Sequence, residues 1–297
     1  MVDQESRFGD HVVRDRVIVP ERPGLFQVSI NDVGNLSVSR NESLLGSLEQ
    51  ESLVTAYHDV LSEGPVWKRL KHNLRKTLSN NPAVSPSRFG FEQMAEVEDE
   101  LLVRRQNAVC RLVLNIQRYG HGGGLLIVPS CPAESVNVKY ELYYDRLPKA
   151  LVGLAEHQLL KRQALDNIAR FCETPSRVLP CEIHKRALEY ERRFYEHTNE
   201  ALGCGRFIAS LSRVDGFVLL DQCLVVHGFG VEARADCELD EVYLAADSKA
   251  TPRLLKPVPL CQFGTRHRAM IRYCHQNAGA LGFVISQDGD IRATMNV

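Results

Sequence analysis

A single tryptophan stands among the 297 residues, and the nine cysteines, scattered from Cys110 to Cys274, include no C-x-x-C pair. An odd count without paired spacing excludes a disulfide framework and the usual zinc-site arrangement, and predicts reduced thiols. No apolar run approaches the roughly 20 residues that span a bilayer, so no membrane partner is expected. The first residues, Met1 to Ser6, lack the basic-then-apolar pattern of a secretory leader. These absences predict a cytoplasmic protein. An excess of one charge is also missing, with 36 basic and 37 acidic residues and a formal net charge of −1. That balance excludes a chain built mainly to coat DNA, so any anion site has to be local. The remaining composition, 44% hydrophobic and 25% charged, is that of an ordinary globular protein rather than a disordered one. The length suffices for two domains or one large one.

The first forty residues mix β-prone runs such as Val17-Ile18-Val19 with turn residues and carry no motif. Ser47 and Gln50 fit a capping box, and Leu48, Val54, Tyr57, Val60 and Leu61 recur at near-helical spacing, which predicts a helix ending at Gly64-Pro65. The next predicted helix carries a Trp67, Leu70, Leu74, Leu78 stripe, with Lys68, Arg69, Lys71, His72, Arg75 and Lys76 on its other faces. A basic amphipathic helix can bind membranes or nucleic acid, but a solvated face over a core stripe is the simpler reading. A third helix is predicted from Phe91 to Gln106. Leu112, Leu114 and Ile116 alternate like a half-buried strand, and the turn Gly120 to Gly124 leads into a buried strand, Leu125 to Val128. This glycine turn has neither the G-x-x-x-x-G-K-[ST] pattern nor a helix directly after it, so it reads as a turn and not a phosphate loop. A strand from Lys139 to Tyr144 and a helix from Leu147 to Phe171 follow. Two prolines between Cys172 and Pro180 then mark a boundary that divides the chain into domains 1–180 and 181–297.

In the second part, a helix is predicted from Ile183 to Leu202. After it comes a hairpin of Phe217 to Leu220, the turn Asp221-Gln222, and Cys223 to Val226. Asp215-Gly216 therefore sits at the mouth of a sheet, where a carboxylate can bind a metal or simply cap a turn. Residues 232–262 read as loop. The next stretch, Phe263-Gly264-Thr265-Arg266-His267-Arg268, concentrates phosphate-binding chemistry ahead of an amphipathic helix predicted from Arg266 to Asn277. Gly264 permits close backbone approach, and Thr265 is a natural N-cap whose hydroxyl can serve the helix or a phosphate. The helix start offers free N–H groups and its positive dipole end. Arg266 and Arg268 can each grip a phosphate with a planar fork. Arg272, one turn further on, could reach the same anion but reads more simply as solvated or ion-paired. His121 and His227 read as satisfied surface or core groups. A strand from Ala280 to Ile285, the turn Gln287-Asp288-Gly289 and a strand from Ile291 complete the chain.

Asp215-Gly216 before a hairpin, Gly264-Thr265-Arg266-His267-Arg268 opening a helix, and a strand leading to Ser286 resemble, in that order, the catalytic domain of the diadenylate cyclases over about residues 183–297. The segment Gly122 to Pro129 resembles, more loosely, the sensor-type domain that precedes such domains in one bacterial branch. The resemblance implies an α/β fold, a mixed β-sheet flanked by helices, preceded by a smaller α+β domain. It implies condensation of two ATP into cyclic di-AMP and pyrophosphate, with Mg²⁺ or Mn²⁺ and a homodimer or larger assembly in which two sites meet face to face. Asp215, and Asp288 after Ser286, would hold the metal. Gly216 would leave room for the nucleotide, and Gly264, Thr265, Arg266, His267, Arg268 and Ser286 would hold phosphates. Two departures stand against the family pattern. Phe217 replaces an alanine, where its ring could stack on adenine or obstruct the pocket, and Gln287-Asp288 replaces an acidic pair. Three functions follow: a cyclase, a nucleotide-binding sensor without turnover, or an interaction protein with a vestigial site.

Overall fold

The computed structural model describes residues 26–296 except 33–34, 41–42, 50–51, 55–59, 80–90, 132, 134, 173–179, 236 and 288–289. The chain divides into two compact units, Met1–Trp67 with Glu241–Val258, and Lys68–Asp240 with Pro259–Val297. The division expected at residue 180 is therefore corrected. Strands from both sides of that position share one sheet, and their pairing overrides the local proline signal.

In the first unit, β1 (Phe26–Asp32), β2 (Asn35–Arg40), β3 (Ser43–Glu49) and β4 (Ser52–Val54) form an antiparallel meander. Over residues 47–49 and 52–54 the helix expected from Ser47 is instead a strand pair, with Ser47 opposite Val54 and Leu48 opposite Leu53, while Gln50 and Tyr57 of that expectation lie outside the described residues. Ladders to β2 and β4 satisfy the backbone that the Ser47–Gln50 cap was expected to serve. The segment 232–262, expected as loop, also contains paired strands, β9 (Glu241–Ala245) and β10 (Leu255–Pro259).

Helix α1 (Gly64–Ser79) buries Val66 and Leu70, half-buries Trp67, and exposes Lys68 and His72, while Arg69 donates to the Asn296 carbonyl at 3.1 Å. Helix α2 (Phe91–Arg118) is longer than predicted and absorbs the strand expected at Leu112 to Ile116. Val109, Leu112, Val113 and Ile116 are each 0% exposed, at i, i+3, i+4 and i+7, so the apparent alternation was part of a deeply buried helix face. Helices α3 (Arg146–Cys172) and α4 (Cys181–Leu211) pack on one another and on α2.

The second unit is built on a six-stranded mixed sheet in the order β12-β11-β5-β7-β8-β6. Its strands are β5 (Gly123–Val128), β6 (Val136–Tyr144), β7 (Phe217–Asp221), β8 (Val226–Ala233), β11 (Leu281–Ile285) and β12 (Ile291–Met295). Only β5 and β7 are parallel neighbours, with Leu125 beside Val218. Helix α2 packs on β5 and β11, and α5 (Thr265–Gln276) packs on β8, β11 and β12. Leu126, Val128, Phe217, Leu219, Val231 and Val284 meet Met270, Tyr273 and Cys274 of α5 in one core. A Leu260 N–H to Asp240 carbonyl bond of 2.7 Å closes this unit across the residues it lacks.

This topology decides where the site forms. The parallel strands β5 and β7 begin at the same edge, and antiparallel β11 ends there, with Ile285 opposite Gly123. Strand β8, antiparallel to β7 with Val231 opposite Phe217, also ends there. Gly122, Asp215, Ser286 and the end of β8 are therefore brought to one edge from four separate stretches of sequence.

Candidate functional site

Helix α5 starts at Thr265 with Gly264 as its N-cap, and no side chain caps it. Thr265 is thus the first helical residue and not the cap expected from sequence. Its hydroxyl instead lies 3.4 Å from Arg268 Nη2, which donates to it. The first intrahelical bond runs from the Arg268 N–H to the Gly264 carbonyl at 3.0 Å. The N–H groups of Thr265, Arg266 and His267 precede it and have no intrahelical acceptor. Gly264 and Thr265 are exposed, and a Cβ on Gly264 would meet nothing within 4 Å. Open space thus faces a helix start whose dipole and free donors favour an anion.

Arg266 reaches across the edge to β7, where its Nη2 lies 3.0 Å from Asp215 Oδ1. The Gly216 N–H donates to the same oxygen at 3.1 Å. The Asp215 carboxylate is 96% exposed, so this pair contributes no more than about 1 kcal/mol to stability and is cheap to break. Gly122 completes the approach from β5. A Cβ there would lie 3.0 Å from Arg266 Nη1, 3.0 Å from the Ile285 carbonyl and 3.3 Å from the Gln287 nitrogen, and its φ is +65°. The glycine turn, read from sequence as a turn without chemistry, is therefore what lets the Arg266 guanidinium settle against Gly122 at the edge where β11 ends. Its signal was the glycine run itself, whose purpose only the sheet register reveals.

Ser286 Oγ accepts the Asp290 N–H at 3.0 Å, and the Ser286 N–H donates to the Asp290 carbonyl at 2.8 Å. Its hydroxyl proton remains free to donate to a phosphate oxygen. Asp288, the second carboxylate expected to bind metal, lies outside the described residues. Among the described residues no group of three or more histidine, cysteine or carboxylate side chains could hold a metal.

Two expectations are corrected here. The Phe217 ring is 3% exposed and belongs to the core, where a Cβ on Gly124 would meet its Cδ1 at 2.8 Å. A glycine on the neighbouring strand makes room for the ring, so Phe217 neither stacks on a base nor obstructs the pocket. Gly216, expected to leave room for a nucleotide, lies close against β8. At φ +113° its Cβ would lie 2.6 Å from the Gly230 carbonyl carbon and 2.8 Å from the Val231 nitrogen. Gly216→Ala is accordingly expected to destabilise the protein by roughly 3 kcal/mol, read as a lowered denaturant midpoint.

His267 turns inward, its ring 6.3 Å from that of Phe263, and its Nε2 is buried without a hydrogen-bond partner. Burial, helped by the Arg292 and Arg266 guanidiniums and opposed by Asp290, holds the imidazole below the usual histidine range. Beside the helix start, Thr265, Arg268, Ala269 and Arg272 of α5 line a cleft of about 240 Å³ together with Ala233 and Ala235. Arg272, read from sequence as solvated or ion-paired, thus lines the same cleft as Thr265 and Arg268. His227 instead pairs with Asp221 at 2.9 Å, as a satisfied group would.

Neither a family profile, a curated protein nor a solved structure matches the chain. Among the described residues no helix is long and apolar enough to cross a membrane.

Proposed function

We propose that this sheet edge binds a nucleoside triphosphate and, in the manner that the diadenylate cyclase resemblance implies, joins two ATP molecules into cyclic di-AMP. The observation that carries the reading is the 3.0 Å contact between Asp215 and Arg266. It unites the two motifs, distant in sequence, beside Ser286 and an uncapped helix start. In this reading the N–H groups of Thr265, Arg266 and His267, the Arg268 fork and the Ser286 hydroxyl hold phosphate oxygens.

Each ribose 3′-hydroxyl attacks the α-phosphorus of the other ATP. A new P–O bond forms as the bond to pyrophosphate breaks, the hydroxyl proton passes to solvent water, and two such steps close the ring. Asp215, a hard oxygen donor, would hold Mg²⁺ or Mn²⁺. The ion would lower the barrier to deprotonating the nucleophile and offset charge on the leaving group. Phosphate binding draws Arg266 off Asp215 and so frees Oδ1 of an already exposed carboxylate. Because each site holds one ATP, ring closure needs two copies of this chain.

A second reading, a nucleotide sensor without turnover, is favoured by Gln287, which supplies no charge where the family has an acid. Phe217 no longer supports it, since its ring lies in the core. Calorimetric titration with ATP tests what both readings share, namely saturable binding that depends on the α5 start. Absence of binding would contradict both.

His267 supplies a pH signature for this binding. Its pKa in the free site is depressed, and an anion nearby raises it, so binding takes up a proton. By linkage, affinity is lowest at high pH, rises as pH falls through the bound-state value, and levels off below the free-site value. Tripolyphosphate should bind more tightly near about pH 6 than near about pH 8, and His267→Gln should remove most of the part not due to the ligand's own titration.

A further inference from the structure

We propose that Arg272 is a second phosphate-gripping cation of this site, acting with Arg268 to read the terminal phosphate of a polyphosphate; the proposal rests on the nucleotide reading above. Thr265, Arg268, Ala269 and Arg272 fall at i, i+3, i+4 and i+7, a single stripe along α5, and that stripe forms one wall of the 240 Å³ cleft. The opposite wall is Ala233 and Ala235, whose methyl groups offer no donors. Charge recognition there falls to the two guanidiniums. The cleft is smaller than the roughly 300–1,000 Å³ of sites that enclose whole small molecules, so its size suits a phosphate tail and not an entire nucleotide.

Arg272 is built into this wall, and among the described residues its side chain has no hydrogen-bond or ion-pair partner. Its Nε is buried and makes no hydrogen bond. Among the described residues no carboxylate forms an ion pair with Arg268 or Arg272. Two cations at i, i+4 repel one another, and an unsatisfied buried donor costs stability. An anion between them relieves both penalties. The Cys237 thiol lies 3.7 Å from the Arg272 carbonyl, to which it donates, and so ties the chain beyond β8 to this turn of the helix. Arg272 stands two helical turns beyond Thr265, so a monophosphate seated at the helix start leaves it unused. A triphosphate extends along the stripe to meet it, and the consequence is a preference for longer phosphate chains.

The test is calorimetric titration of the full chain with ATP, AMP and inorganic tripolyphosphate, in the wild type, Arg272→Ala, Arg272→Gln and Arg272→Lys. Arg272→Ala should weaken ATP and tripolyphosphate binding about tenfold and leave AMP within about twofold. Arg272→Lys should recover only part of the loss, because an ammonium lacks the fork. If the alanine variant does not fold, Arg272→Gln, which keeps most of the stem, carries the same comparison. Unchanged ATP affinity, or equal losses for ATP and AMP, overturns the proposal. A wild type that binds tripolyphosphate but neither nucleotide overturns the nucleotide reading, and Arg272 is then judged on tripolyphosphate alone. A wild type that binds none of the three overturns both.

Discussion

Asp215→Asn is expected to lower cyclic di-AMP formation about 10³-fold or more, because losing the carboxylate that shares the metal removes several kcal/mol of transition-state stabilisation. Binding should respond in the opposite sense. Asp215 Oδ1 holds the Arg266 guanidinium at 3.0 Å in the free protein and adds a negative charge beside the phosphates. With asparagine, Arg266 is released and the repulsion disappears, so ATP without metal should bind as tightly as to the wild type or more tightly. A fold defect cannot imitate this split, because Asp215 is 96% exposed and its ion pair adds little stability. Single-turnover product formation and metal-free calorimetry read the two halves. Product at the wild-type rate would remove Asp215 from the reaction.

Replacing Arg266 and Arg268 together by Ala should weaken ATP binding about 10²-fold, near tenfold for each charge-assisted contact. The two arginines differ in what they leave behind. Among the described residues Arg268 is held by one long bond to the Thr265 hydroxyl, at 3.4 Å, so its loss should act on the ligand alone. Arg266 spans Asp215 and the backbone beside Gly122, so its removal also frees the carboxylate. Freed of its cation, Asp215 should bind divalent metal more tightly in Arg266→Ala than in Arg268→Ala. Equal ATP affinity in the double variant and the wild type would place the phosphates elsewhere.

The start of α5 was legible because its signal is local. Gly264 to Arg268 carries its glycine, arginines and helix start in consecutive residues, and the structure places them where the spacing predicts, with the cap shifted by one residue to Gly264. Asp215 at the mouth of β7 was legible for the same reason. What failed depended on partners distant in sequence. Leu112 to Ile116 alternates like a strand, yet its environment is a helix face buried beneath β5 and β11. Ser47 carries a helix cap, yet ladders to β2 and β4 claim it. The proline boundary near residue 180 concealed a sheet that draws β5 and β6 from before it. Phe217 looked like a change at the site because nothing in the local sequence pairs it with Gly124 on the neighbouring strand. Gly122 read only as a turn and Arg272 as solvated or ion-paired, because the approach of Arg266 to Gly122 and the cleft that Arg272 lines appear only once register and helix packing are known.

The central claim is that the edge shared by Asp215, Arg266 and Ser286 turns ATP over. Incubation of the purified chain with ATP and Mg²⁺ or Mn²⁺, with products resolved by liquid chromatography and mass spectrometry, tests it most directly. The predicted result is cyclic di-AMP and pyrophosphate in a ratio of one to two, absent with Asp215→Asn. ATP recovered intact at protein concentrations that support self-association, with binding still measurable by calorimetry, would contradict the cyclase reading and leave a nucleotide sensor.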